Sequence, residues 1–170
     1  MSARVPDAAL LDRDGTINVK APEGEYIVRP GDVELLPGAG EAIRVLNGAG
    51  VPVVVVTNQR GIALGHMTEA DLAAVHRRLA ELLGAHGARL DAVFHCPHHV
   101  GTCACRKPGT LLLERARAHL GLATLRNSVM IGDSPADVQA GRAAGARTVL
   151  LRSGDSLLAA VWRTLAGWRP

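Results

Sequence analysis

The segment Asp12-Arg13-Asp14-Gly15-Thr16 sets two carboxylates two residues apart, directly behind the apolar run Ala8-Ala9-Leu10-Leu11. If strand geometry persists that far, Asp12 and Asp14 project to the same side. Like charges so close repel, so the pair implies either a cation between them or two different protonation states. A carboxylate is ionised at neutral pH and needs no base to act as a nucleophile. Asp12 could therefore attack an electrophilic phosphorus and form an aspartyl-phosphate. Asp14 could protonate the departing alkoxide and later take a proton from water. Gly15 lets the backbone turn sharply just after the pair. Asp-Gly is also an ordinary turn signal, which leaves a purely structural reading of the pentapeptide open.

Other residues fit the same chemistry. Asp133, in Gly132-Asp133-Ser134-Pro135, could join Asp12 in holding Mg²⁺, a hard cation suited to carboxylate and phosphate oxygens; it could equally cap the next helix. Thr57 and Asn58 offer a hydroxyl and a backbone N–H to phosphate oxygens, or form only a turn. Lys107 could offset the negative charge on a transferring group, although a lone lysine is as readily a solvated surface residue. Cys96, His98, Cys103 and Cys105 lie within ten residues and supply three thiolates and one imidazole, a closed tetrahedral set for Zn²⁺. Such a site is structural and would fix the backbone beside Arg106 and Lys107. His99 is an alternative to His98, and three free thiols are the alternative to a metal site. The other histidines (His66, His76, His86, His95 and His119) show no ligand spacing and are expected on the surface or in packing.

The frame that must carry these groups is legible in the hydrophobic pattern. Strands are expected at 8–11, 52–56, 90–94, 128–131 and 147–151. Helices are expected at 38–49, 68–85, 109–119, 135–144 and 156–168. Thr68-Glu69-Ala70-Asp71 resembles a capping box. The Val53-Val54-Val55-Val56 run is apolar throughout, as in a strand buried on both faces of a parallel sheet. Alternating strand and helix predicts an α/β fold, with a parallel sheet covered by helices on both faces. Ligands of such sheets gather beyond the carboxyl ends of the strands, where Asp12, Thr57-Asn58 and Asp133 all fall. Residues 18–37 lack periodicity and read as a long loop or small flap.

Bulk properties exclude some functions. The 170 residues suffice for one domain with its own core. The net charge of +3 is dispersed without a basic run, so nucleic-acid binding is not expected. No apolar stretch approaches membrane-spanning length, and the opening residues lack the apolar core of a signal peptide. An odd, clustered set of three cysteines is a poor disulfide framework. A cytoplasmic location is expected.

Taken in order, Asp12-Arg13-Asp14-Gly15-Thr16, Thr57-Asn58-Gln59-Arg60-Gly61, Arg106-Lys107-Pro108 and Gly132-Asp133-Ser134-Pro135-Ala136-Asp137 resemble the four motifs of the haloacid dehalogenase superfamily. The resemblance covers residues 8 to about 152. Cys96-Pro97-His98-His99 and Cys103-Ala104-Cys105 are similar to the zinc loop of one branch. That branch contains the D-glycero-D-manno-heptose 1,7-bisphosphate 7-phosphatases and the histidinol-phosphate phosphatases. The resemblance implies a Rossmann-like core without a large cap domain and hydrolysis of phosphomonoesters with Mg²⁺. It implies Asp12 as nucleophile, Asp14 as general acid/base, and Thr57, Asn58 and Lys107 as phosphate-binding residues. Asp12, the Asp14 backbone carbonyl and Asp133 would hold Mg²⁺, and Arg106 would contact the distal part of the substrate. Asp137 would support the metal site without ligating it.

Three departures stand out. Leu64 and Ser134 occupy places where many sugar-bisphosphatases carry Arg and Lys, and Gly109 comes directly after Pro108 where an extra Lys-Pro is common. The expected partner is a small phosphorylated metabolite, a heptose bisphosphate first and histidinol phosphate second, turned over by a monomer. A zinc-stabilised phospho-accepting regulatory domain is the reading outside catalysis. A nucleic-acid 3′-end phosphatase would require a basic groove.

Overall fold

The computed structural model describes residues 5–168. Five strands form one sheet in the order β3-β2-β1-β4-β5, and every pairing is parallel. They are β1 (Ala8–Leu11), β2 (Val53–Asn58), β3 (Ala92–Cys96), β4 (Ser128–Gly132) and β5 (Arg147–Leu150). Between and after them run α1 (Ala39–Gly48), α2 (Glu69–Ala85), α3 (Leu111–His119), α4 (Pro135–Ala143) and α5 (Leu157–Ala166). The strand–helix alternation read from the pattern is therefore the fold, a Rossmann-type sheet.

Side chains of a strand alternate between faces, and here they sort into two cores. Ala9, Leu11, Val53, Val55, Val129 and Ile131 pack with residues of α1, α2 and α5. Leu10, Val54, Val56 and Met130 pack with Leu112, Leu113 and Ala116 of α3 and Ala140 of α4. The apolar run of β2 is thereby explained, since both of its faces are covered. α2 begins as its sequence implies: Thr68 Oγ1 accepts from Asp71 N–H, and Asp71 Oδ2 accepts from Thr68 N–H.

Two strands run two residues past their expected ends, β2 continuing to Asn58 rather than stopping at Val56. β3 runs to Cys96 rather than ending at Phe94, because His95 and Cys96 still pair with Thr57 and Asn58 of β2. Polar side chains at an edge strand end the apolar pattern before they end the ladder. Cys96 therefore belongs to the sheet, not to the loop after it. Residues 18–37 form the expected flap. Its base is closed by Val19 N–H donating to Glu34 C=O and Leu36 N–H to Ile17 C=O, and a 3-10 turn spans Pro30–Asp32.

Helix α4 lies close on the sheet because Gly141 has no side chain; a Cβ there would come within 2.6 Å of Thr148 Cγ2 and 2.8 Å of Met130 Cβ. Alanine is the better helix former by about 1 kcal/mol, but forced overpacking costs about 1–3 kcal/mol. We expect Gly141→Ala to lower the free energy of urea unfolding; an unchanged or raised stability would show that the helix can move off the sheet at little cost.

Candidate active site and cysteine cluster

β1 is central, flanked by β2 and β4, so the carboxyl ends of these three strands meet at one edge. There a cleft of about 700 Å³ is lined by Asp12, Asp14, Thr57, Asn58, Arg106, Lys107 and Asp133, together with flap residues 20–27. The residues singled out from the pattern for phosphoryl chemistry thus come together in one place.

Lys107 is the hub of this cleft and is only 3% exposed. Its ammonium donates to Asp12 Oδ1 at 2.8 Å and to the Val56 carbonyl at 2.7 Å, and pairs with Asp137 Oδ1 at 2.6 Å. Three donors meet three acceptors, and burial without them would not be tolerated. Burial works against the charge of Lys107, but Asp12 and Asp137 raise its pKa above the ordinary lysine value. The Asn58 side chain fixes the Lys107 backbone from both sides: it accepts from Lys107 N–H at 3.0 Å and donates to Lys107 C=O at 3.1 Å. Asn58 is therefore a brace for Lys107 through its amide, a use its sequence position does not reveal.

The two motif carboxylates are held by different cations. Asp14 receives Arg13 Nε at 3.0 Å and Nη2 at 2.8 Å, Asn18 Nδ2 at 2.9 Å and Gln59 Nε2 at 2.8 Å. Burial pushes the Asp14 carboxyl up, but Arg13, Asn18 and Gln59 more than offset this and hold it below the usual carboxylate range. Asp12 moves the other way. Burial foremost, opposed by Lys107 and reinforced by Asp137 and Asp14, pushes it up to about 7. The protein's own groups alone therefore disfavour the charged form of Asp12. A nearby divalent cation reverses that shift, because it stabilises the charged form. Gln59 also donates to Thr57 Oγ1 at 2.9 Å, so one amide orients both Thr57 and Asp14. Arg13, Asn18 and Gln59 are buried site residues that carried no assigned role in the sequence. Only their places inside or beside the motifs pointed to them.

Asp12, Asp133 and Asp137 offer carboxylate oxygens within 4.8 Å of one another. Asp14 contributes no side chain to this group, which corrects the picture of two motif carboxylates facing one cation; its carboxylate turns to Arg13 instead. Asp133 is not a helix cap. Ser134 caps α4, exchanging hydrogen bonds with Asp137. Both oxygens of Asp137 are thereby engaged, one by Lys107 and the other by Ser134. Asp133 Oδ2 instead takes Lys20 Nζ at 3.1 Å, from a side chain that is 61% exposed and easily displaced. A hard-oxygen set with two incompletely satisfied carboxylates fits Mg²⁺. Gly15, at φ 80°, makes room for this arrangement, because a Cβ there would collide with the Asp133 carboxylate.

The second constellation also assembles. Cys96, His98, Cys103 and Cys105 present their ligand atoms as one group. Cys105 Sγ lies 3.1 Å from Cys96 Sγ, 3.2 Å from His98 Nδ1 and 3.5 Å from Cys103 Sγ. His98 rather than His99 completes the set. Burial and the neighbouring thiols push the Cys96 thiol up to about 12. Burial also resists ionisation of Cys103, yet hydrogen bonds from the Arg106 backbone and the other thiols bring it down to about 6. Ionising three thiols this close would need a cation among them, and the S₃N donor set suits Zn²⁺.

Removing Lys107 leaves Asp12 and Asp137 buried without their cation, a change that costs about 3–5 kcal/mol. We expect Lys107→Met to lose stability on that scale in chelator, with part restored by Mg²⁺; equal unfolding of wild type and variant in chelator would refute the role of Lys107 as hub.

Comparison with known proteins agrees with this geometry. A HAD-hydrolase-like family model matches residues 104–163. The chain is 42% identical over 156 residues to a D-glycero-β-D-manno-heptose-1,7-bisphosphate 7-phosphatase of Rhodopseudomonas palustris, covering 85% of this chain and 84% of that one. It is 39% identical to the enzyme of that name from Escherichia coli K12, over 92% and 84% of the two chains. The D,D-heptose 1,7-bisphosphate phosphatase of B. bronchiseptica, solved with magnesium and phosphate, superposes with a TM-score of 0.80 at 28% identity, covering 95% and 99%. A HAD-like phosphatase from Mesorhizobium loti gives 0.79 at 36% identity, covering 95% and 86%. With the motifs in place on the sheet and relatives at this identity spanning most of both chains, the protein belongs to the haloacid dehalogenase-like phosphatases, in the group those heptose bisphosphate enzymes form.

Proposed function

We propose that residues 1–170 act as one domain, a Mg²⁺-dependent phosphomonoester hydrolase that removes the 7-phosphate of D-glycero-D-manno-heptose 1,7-bisphosphate. The observation that carries the reading is the charge pattern of the cleft, in which a buried Lys107 balances Asp12 beside Asp133. Asp12 attacks phosphorus; the P–O bond to the sugar breaks, and the leaving alkoxide takes a proton from Asp14, which must first be protonated against the contacts from Arg13, Asn18 and Gln59 that favour its charged form. Asp14, now a base, removes a proton from the water that cleaves the aspartyl-phosphate, which regenerates Asp12 and releases phosphate. Thr57 and the Asn58 backbone hold phosphoryl oxygens, and Lys107 offsets their charge. Magnesium, held by Asp12, the Asp14 carbonyl and Asp133, would supply positive charge at the phosphoryl oxygens and keep Asp12 ionised. Cys96, His98, Cys103 and Cys105 hold structural zinc.

The missing cations at Leu64 and Ser134 do not leave the cleft without positive charge. Arg106 lines it, with Nη1 buried and without a protein partner. Lys20 brings an ammonium from the flap to the Asp133–Ser134 end. Both suit a second phosphate. Histidinol phosphate remains the rival substrate because Glu23 and Glu25 also line the cleft and would favour an amino group. Among the described residues no helix is long and apolar enough to cross a membrane.

Phosphate release from heptose bisphosphate, histidinol phosphate and p-nitrophenyl phosphate, with Mg²⁺ and with EDTA, tests the reading. The expected order places heptose bisphosphate first, with activity lost in EDTA. Asp12→Asn should cost at least about a thousandfold in turnover. A fast Asp12→Asn enzyme would defeat the mechanism; a preference for histidinol phosphate would replace the substrate alone. Metal analysis of protein purified without added metal should find one zinc per chain, and a value near zero in folded, reduced material would remove zinc from the account.

A further inference from the structure

We propose that His76, on α2 and outside the cleft, is a positioning residue for Asp14 that acts through Arg13. The inference rests on the reading of Asp14 as general acid/base. Arg13 is 1% exposed, so its five N–H donors must find partners within the protein. Nε and Nη2 grip the Asp14 carboxylate at 2.8–3.0 Å. Nη1 points away from the cleft and meets His76 Nε2 at 3.1 Å. A guanidinium only donates, so Nε2 must hold a lone pair and the imidazole proton must sit on Nδ1.

The guanidinium is planar and rigid. An acceptor at Nη1 therefore fixes the plane in which Nε and Nη2 lie, and with it the orientation of the carboxylate they hold. Without that acceptor the buried Nη1 is unpaired, and rotation to find another partner draws Asp14 with it. His76 is itself held. Its ring meets that of His95 edge-on, with centroids 6.2 Å apart, and His95 Nε2 lies 2.8 Å from Glu69 Oε2 on the first turn of α2. Arg13, Asp14 and His95 are the charged or titratable groups that face His76. Burial first, then Arg13 and His95, bring its pKa down to about 3. The ring thus remains neutral, and an acceptor, wherever the enzyme can be assayed. His76, expected on the surface or in packing, thus makes a contact that its sequence position did not reveal.

Two substitutions separate positioning from packing. His76→Leu keeps bulk but removes the acceptor, whereas the amide oxygen of His76→Gln can replace Nε2. For an alkyl phosphate substrate, His76→Leu should lower kcat by about tenfold to a hundredfold with KM little changed, and His76→Gln should recover most of the loss. For p-nitrophenyl phosphate the leaving group needs no proton. The aspartyl-phosphate then waits on a misplaced base, and His76→Leu should show a nitrophenolate burst larger than that of the wild type. In an Arg13→Lys background, His76→Leu should add little further loss, because its effect passes through Arg13.

Wild-type turnover in folded His76→Leu overturns the proposal, as does a Gln variant as impaired as Leu or an additive loss with Arg13→Lys. His76→Phe replaces His76→Leu if the latter does not fold, and a chain that folds with neither marks His76 as a packing residue, which also overturns the proposal. A wild-type protein that releases no phosphate defeats the phosphatase reading instead.

Discussion

A single buried ammonium organises the site. Lys107 joins the end of β1, through Asp12, to the end of β2, through the Val56 carbonyl, and to α4, through Asp137. Its charge can be kept from water only because two carboxylates and a carbonyl replace the lost hydration. Those carboxylates in turn can be buried only because the ammonium is there. The ends of two strands and the start of a helix are thus locked at fixed distances, with one acidic edge left incompletely neutralised. That edge is where a divalent cation and a phosphate fit.

Lys107 needs support because it lies on a connection, not on a strand. The Asn58 amide clamps its backbone from β2. Two residues earlier, Cys105 belongs to the cysteine–histidine cluster, whose other end, Cys96, is the last residue of β3. A metal in that cluster would tie the connection to the sheet at both ends. The zinc loop would then contribute rigidity near the phosphate, and no chemistry of its own.

Asp12 and Asp14, two residues apart, have opposite environments. Asp12 shares the buried ammonium with a second carboxylate and is pushed up to about 7. Asp14 accepts from a guanidinium and two amides and is held low. Without a cation this split is the reverse of an ionised nucleophile beside a protonated acid, and a divalent cation at Asp12 would restore the charge of the nucleophile. The flap contributes a different element: Lys20 brings an exposed, displaceable charge to an otherwise fixed site, at the end of the cleft where Ser134 offers none.

Local pattern was enough to establish the α/β alternation, the two-faced burial of β2, the capping box of α2 and the residues that gather at the strand ends. Period and side-chain type carry that information, because these types have few other uses together. Zinc-ligand spacing was legible for the same reason, apart from the choice between His98 and His99, which depends on where the loop turns. Which charge answers which emerged only on folding. The Lys107–Asp12, Lys107–Asp137 and Arg13–His76 contacts join residues that spacing does not relate, and Gln59 reaches both Thr57 and Asp14. Hydrophobic period is written along the chain, whereas the partner of a buried charge is set by what folding brings within about 3 Å of it.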